Sequence, residues 1–240
     1  MKGIILAGGI GSRLFPLTKS INKCLLPVCG VPMIYRMIDL LTSSNITDIM
    51  IVLGTHHADQ VITSLGSGNL NNCSLTYKIQ EKADGIATAL NLCKDFCGDE
   101  KFVMLLCDNI FTDHKLISEN IKKFESSPDS YQLFAKSVPD PERFGVPVYK
   151  EDKVIDIIEK PSDPPCNKAI VGLYCYTPEV FEVIKTLKPS QRGEYEISDV
   201  NSWLVKNRTG SVVDIYCDWI DARTLDSYRK ANEIIWNLNN

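Results

Sequence analysis

Two runs of the chain, Asp48-Ile-Met-Ile-Val-Leu-Gly54 and Lys101-Phe-Val-Met-Leu-Leu-Cys107, are apolar at nearly every position rather than at every second one. A half-exposed strand alternates; a strand that is apolar throughout needs cover on both faces. Helical patterns over 31–43, 56–65 and 84–96 fall between strand patterns over 2–7, 48–54, 74–79 and 101–107, and can provide that cover. Pro32 stands where a first helical turn tolerates it. This β-α-β-α order predicts an α/β fold: a Rossmann-like, mixed but mostly parallel sheet flanked by helices.

In such sheets ligands bind beyond the carboxyl ends of the strands. At the first of these ends lies Gly3-Ile-Ile-Leu-Ala-Gly-Gly-Ile-Gly-Ser-Arg-Leu14, with Lys23 shortly after it. Glycines 8, 9 and 11 let the backbone approach phosphate oxygens and adopt conformations other residues resist. Successive N–H groups in such a turn form an anion-binding nest, to which Arg13 and Lys23 add full charge. A tight strand-to-helix connection with two surface cations would look the same. The loop has neither the Gly-Lys-Ser/Thr of a Walker loop nor the Gly-x-Gly-x-x-Gly of a dinucleotide site.

Bulk properties narrow the partners. A formal net charge of −4 argues against a general nucleic-acid surface. No stretch reaches the roughly 20 apolar residues of a membrane helix, and the opening apolar run is too short for a signal peptide. Nine cysteines without Cys-x-x-Cys or Cys/His clustering fit neither a disulfide framework nor a structural zinc site. A soluble cytoplasmic protein is expected.

The second half carries strand patterns over 131–138, 153–158, 169–176 and 211–216, and helical ones over 178–187, 196–206 and 225–238. No repeat or low-complexity linker divides the chain. One domain over 1–240 is expected, with an N-terminal nucleotide lobe to about 130 and a C-terminal acceptor lobe from about 131.

Several carboxylates suit chemistry at strand ends. Asp108 follows an apolar strand and opens a loop; Asp221 precedes the last helix. Together they could hold a hard cation such as Mg²⁺, which takes one or two carboxylates plus substrate phosphates; equally, one caps a turn and the other starts a helix. In Gln80-Glu-Lys-Ala-Asp-Gly85 an amide could meet a base edge and a glycine let the base lie flat, or the segment is only a capped loop. In Glu159-Lys160-Pro161 the acid could bind sugar hydroxyls and the cation a phosphate, or the two form an exposed ion pair.

In combination these motifs become specific. Gly-Gly-x-Gly-Ser-Arg-Leu-x-Pro-x-Thr, Asn-Lys-x-Leu-Leu-Pro-Val, Asp108-Asn-Ile-Phe111, Asp140-Pro-Glu-Arg-Phe-Gly-Val146, Glu159-Lys-Pro161, Arg192-Gly-Glu-Tyr-Glu-Ile-Ser-Asp-Val-Asn201 and Trp219-x-Asp221 resemble the signature of bacterial sugar-phosphate nucleotidyltransferases. The resemblance runs from Met1 to about Asn232, and is strongest to short-form members that join dTTP and glucose 1-phosphate. It implies a nucleotide-diphospho-sugar transferase fold, Mg²⁺ as cofactor, no covalent intermediate, and a homodimer or homotetramer. It implies further that Leu6, Gly8, Gly9, Gly11, Ser12 and Arg13 hold the nucleoside triphosphate, with Lys23 on its phosphates. Gln80 and Gly85 would contact a pyrimidine base. Asp108 and Asp221 would bind Mg²⁺, Asp108 also facing substrate. Gly145, Glu159, Gly172 and Arg192 would line the sugar site and Lys160 would hold its phosphate. Arg13, Lys23 and Lys160 are the expected catalytic cations.

Four positions depart from the family pattern: Cys107 where glycine precedes the metal aspartate, Ala222-Arg223 in place of Thr/Ala-Gly, Thr88 in place of a polar residue such as Gln, and Val171 in place of Thr. They leave open CTP or UTP with another phosphorylated acceptor, or a silent homologue that binds a nucleotide sugar and regulates a partner. Longer members carry a C-terminal extension linked to a regulatory nucleotide site; with the sequence ending at Asn240, that site is expected to be altered or missing.

Overall fold

The computed structural model describes residues 1–239. Its elements, in chain order, are β1 (Lys2–Ala7), a two-residue hairpin of β2 (Pro27–Val28) and β3 (Val31–Pro32), α1 (Met33–Ser43), β4 (Asp48–Gly54), α2 (Ala58–Leu65) and β5 (Ser74–Gln80). Then come α3 (Ile86–Asn91), α4 (Lys94–Cys97), β6 (Phe102–Leu106), β7 (Asn109–Phe111), α5 (His114–Ser126) and β8 (Tyr131–Ser137). The antiparallel pair β9 (Gly145–Lys150) and β10 (Lys153–Glu159) leads to β11 (Lys168–Tyr176), α6 (Val180–Ile184), α7 (Ile197–Asn207), β12 (Gly210–Asp214), β13 (Trp219–Asp221) and α8 (Leu225–Asn239).

Seven strands form a mixed, mostly parallel sheet. The chain divides into two compact units, one comprising Met1–Ala83, Leu105–Lys122 and Cys217–Asn240, the other Asp84–Met104 and Lys123–Tyr216. In the first unit β1, β4 and β5 run parallel in the order β1-β4-β5, with Gly3 opposite Ile49 and Gly54 opposite Gln80. In the second, β12 joins β8 in parallel and β8 pairs β11 antiparallel. The apolar run of β4 is buried from Ile49 to Gly54, as two-sided cover requires.

Helix α1 begins one residue beyond Pro32. Its apolar positions 33, 34, 37, 38, 40 and 41 recur at helical spacing and are all buried. The pattern over 84–96 is not one helix: α3 ends at Asn91 and a break at Leu92 and Cys93 precedes α4. No element is expected over 114–126, where α5 stands, although Ile117, Ile121 and Phe124 recur at its buried positions.

Each unit has its own core. In the first, Leu14, Leu26, Val28, Met33, Ile110, Ile220, Ala222, Ala231 and Ile235 pack together, so that α8 packs with β13 and with Leu14 at the end of the glycine loop. Tyr228 Oη donates to the Pro27 carbonyl and Cys29 N–H to Asn232 Oδ1 (2.8 Å), tying the same helix to the hairpin. In the second, Phe102 stacks on Phe181 with centroids 5.5 Å apart and meets Tyr176 edge-on at 5.9 Å. Such buried aromatics each contribute roughly 1.5–3 kcal/mol.

Candidate active site

The glycine loop leaves β1 at Ala7 and turns into a single 3₁₀ turn, Ser12–Leu14, that buries Leu14 and leaves Arg13 exposed. Gly11 has φ +74°, a left-handed conformation suited to glycine. Thr18 Oγ1 donates to its carbonyl at 2.7 Å. The other two glycines leave room for flexible side-chain ends. A side chain on Gly8 would meet Gln80 Oε1 at 2.8 Å, and one on Gly9 would meet Lys23 Nζ at 3.1 Å. Gln80, the last residue of β5, and Lys23 are thereby brought against the loop. Leu6, buried in β1, accepts from the Cys107 N–H at 3.1 Å, which fixes the end of the Asp108 strand beside the loop.

Lys23 Nζ donates to Asp108 Oδ2 at 2.8 Å, both side chains largely buried. Burial opposes each charge, but each offsets the other. Lys23 is held above the ordinary lysine pKa by Asp108, and Asp108 below the ordinary carboxylate value by Lys23, with Arg223 adding to the effect. The second carboxylate arrives through a three-residue ladder: β13 runs antiparallel to β7 with Asp221 opposite Asn109, and the Ala222 N–H donates to the Asp108 carbonyl at 2.8 Å. Trp219 Nε1 donates to Asn109 Oδ1 at 2.7 Å and steadies the same ladder. Asp221 Oδ2 lies 2.5 Å from Arg223 Nε. Cys107, in the glycine position, is fully buried and its thiol is pushed well up by burial.

In the second unit Glu159 ends β10 opposite Gly145. Ser198 Oγ donates to Glu159 Oε2 at 2.5 Å, Lys160 Nζ lies 2.9 Å from Glu159 Oε1, and Arg192 Nη2 reaches the same oxygen at 3.2 Å. Arg192 is held more firmly by buried Glu196, at 2.6 Å. Lys160 takes a left-handed backbone, φ 43°, rare for a non-glycine and concentrated at functional sites. Asp199, near Glu196 and Glu159, is held protonated to higher pH by burial and then by their charges. Gly172 sits within buried β11, as does Val171. No separate signal in the sequence points to Glu196 and Ser198, which organise this cluster; Glu196 precedes α7 and Ser198 is its second residue.

Gly85 has φ +127°, and a side chain there would run into the Tyr195 backbone. The contact is stitched by Tyr195 N–H to the Asp84 carbonyl, 2.8 Å, and Ala87 N–H to the Tyr195 carbonyl, 3.3 Å. Thr88, inside α3, donates to Asp84 Oδ1 at 2.6 Å and to the Gly85 carbonyl at 2.8 Å.

A nucleotidyl transferase family model matches residues 2–237. The chain belongs to that family. Among its relatives, a glucose-1-phosphate thymidylyltransferase of Neisseria meningitidis is 36% identical over 100% of this chain and 84% of its own length. One of Xanthomonas campestris is 41% identical over 98% and 80%. A solved Bacillus anthracis protein assigned as a glucose-1-phosphate thymidylyltransferase, in complex with sucrose, superposes with TM-score 0.92 at 46% identity, covering 98% of this chain and 94% of that one. A UDP-glucose pyrophosphorylase shares the fold, TM-score 0.85, at 21% identity over the full length of both chains. This nucleotidyltransferase is therefore an enzyme of a mostly parallel, helix-flanked sheet class. Among the described residues no helix is long and apolar enough to cross a membrane.

Proposed function

We propose that this nucleotidyltransferase joins dTTP and glucose 1-phosphate to give dTDP-glucose and pyrophosphate. The observation that carries the proposal is the charged lining of the glycine loop: Lys23 against Gly9, Asp108 on Lys23, and Asp221 on the neighbouring strand. Thymidylyltransferase relatives at 36–41% identity support the choice of substrates.

The donor set suits Mg²⁺. Asp108, in the turn before β7, and Asp221, at the end of β13, offer carboxylate oxygens, and no group of three or more His, Cys, Asp or Glu gathers among the described residues. Two carboxylates completed by substrate phosphates and water is the usual Mg²⁺ arrangement. Bound there, Mg²⁺ supplies charge neutralisation for the triphosphate and the departing pyrophosphate.

The remaining work belongs to the chain. The loop N–H groups, Arg13 and Lys23 bind the triphosphate and leave its α-phosphorus open to in-line attack. Gln80 and Gly85 read the base. Glu159, fixed by Ser198, accepts from sugar hydroxyls beside Gly145 and Gly172, while Lys160 and Arg192 hold the anionic end. The attacking phosphate oxygen is already ionised, so no general base is needed; positioning and cancellation of anion–anion repulsion carry the rate. Nine free thiols suit a reducing cytoplasm, and a closed homo-oligomer is the expected assembly.

Pyrophosphate release with Mg²⁺, across dTTP, UTP, CTP, GTP and ATP with several sugar 1-phosphates, tests the proposal. Turnover led by dTTP and glucose 1-phosphate is expected. Turnover only with another pair overturns the specificity, and silence with retained nucleotide-sugar binding makes the protein a binding homologue.

A further inference from the structure

Arg223 stands two residues beyond Asp221, with Nε 2.5 Å from Asp221 Oδ2 and its charge also felt by Asp108. Asp108 has Lys23 at 2.8 Å. Each of the two candidate metal-binding carboxylates thus already has a protein cation of its own, on segments joined by the Ala222 N–H to Asp108 carbonyl hydrogen bond. Arginine stays charged at any working pH, and here its Nε stands in ion-pair contact with Asp221 without hydrogen-bond alignment. A guanidinium and a divalent cation compete for the same carboxylate lone pairs. Two carboxylates with two cations form a site that is electrically close to neutral, and a divalent cation gains little Coulomb energy by entering it. A bound triphosphate reverses that balance and offers both side chains another anion.

Resting on the reading of Asp108 and Asp221 as the Mg²⁺ ligands, we propose that Arg223 is a built-in competitor for the divalent cation. It holds Asp221 in the nucleotide-free protein, so that the metal is bound tightly only together with the nucleoside triphosphate. Arg223 is then a positioning residue that couples metal loading to nucleotide loading, at a place where the family pattern has glycine.

The probe is Mn²⁺, followed by the electron paramagnetic resonance signal of the free ion, with nucleotide-free wild type, Arg223→Gln, Asp221→Asn and the Arg223→Gln/Asp221→Asn double variant. Arg223→Gln is expected to bind Mn²⁺ about tenfold tighter than wild type, equivalent to about 1.4 kcal/mol, and the gain to vanish in the double variant. The melting temperature of Arg223→Gln should also rise more with Mn²⁺ than that of wild type, a readout independent of turnover. With dTTP present the difference between wild type and Arg223→Gln should close. Equal Mn²⁺ affinity of the two without nucleotide, while Asp221→Asn still weakens Mn²⁺ binding with dTTP, overturns the competitor role and leaves the ligand reading standing. If Asp221→Asn leaves Mn²⁺ binding with dTTP unchanged, the ligand reading itself fails and the competitor role falls with it.

Discussion

Lys23 Nζ and Asp108 Oδ2 are 2.8 Å apart, with the two side chains only 12% and 11% exposed. Removing one member of such a pair strands the other charge, a loss of about 3–5 kcal/mol for a fully buried pair, whereas neutral residues of similar size in both places cost little. Asp108→Asn and Lys23→Met should therefore each lower the melting temperature. The double variant should recover much of that loss, yet release pyrophosphate no faster than either single one. Recovery of turnover with stability in the double variant would show that the pair is structural only.

Two glycines should separate binding from folding. At Gly9 an alanine methyl would press on the flexible end of Lys23, at 3.1 Å, while at Gly85 it would need φ +127° and collide with Tyr195 main chain. Gly9→Ala should melt within about 2 °C of wild type, less than 1 kcal/mol at this size, and bind dTTP several-fold more weakly. Gly85→Ala should lose about 1–3 kcal/mol to backbone strain. Calorimetric melting and dTTP titration of both variants check the contrast. A Gly85→Ala protein as stable as wild type would contradict the packing described for Tyr195.

Asp156 provides a pH-dependent term away from the candidate ligands. Burial pushes its carboxyl up, but Lys206, Ser202 and the Ile157 N–H together hold it below the ordinary value. Lys206 Nζ lies at 2.7 Å and Ser202 Oγ at 2.5 Å. A carboxyl depressed by folding adds stability that is present above its unfolded pKa, near 3.9, and is lost as pH falls through the folded value. Asp156→Asn should thus melt lower than wild type at pH 7, by less than about 1 kcal/mol for so accessible a pair. The two proteins should converge only as pH falls below the ordinary carboxylate value and through the lower folded one. A difference that persists unchanged in acid would assign the effect to shape rather than charge.

How much of this was legible depends on distance along the chain. The glycine loop and the buried strands are local: glycine spacing and unbroken apolar runs at 3–14, 48–54 and 101–107 specify them, and the strands form within a residue or two of those bounds. The pairing of Lys23 with Asp108, 85 positions apart, and the β7–β13 ladder, 110 apart at Asn109 and Trp219, leave no periodic trace in either segment. Three-residue strands are too short to alternate. Arg223 was noticeable only as a departure from the family pattern; that its guanidinium meets Asp221 follows from the turn after β13. The break between α3 and α4 was hidden because both pieces share one apolar face, through Ala87, Leu90, Cys93 and Cys97, all buried.

Ser198 illustrates a site residue defined by its neighbour. Its hydroxyl donates to Glu159 at 2.5 Å, and the absence of a side chain at Gly145 makes room for it, since a methyl there would stand 2.6 Å from that oxygen. Glu159 also faces Lys160 and Arg192, so without Ser198 it is free to rotate toward those cations and away from the proposed sugar site. A lost hydrogen bond to a charged acceptor is worth about 1.5–3 kcal/mol, and Ser198→Ala should raise the KM for glucose 1-phosphate by roughly tenfold or more on that scale. Gly145→Ala should do the same by displacing the hydroxyl. Because both changes lie in the second unit and leave the glycine loop of the first untouched, the KM for dTTP should stay within about twofold in either variant, under 0.5 kcal/mol. Steady-state kinetics with each substrate varied in turn checks this; a parallel rise in both KM values would remove Glu159 from the sugar site and leave the Ser198 bond as packing alone.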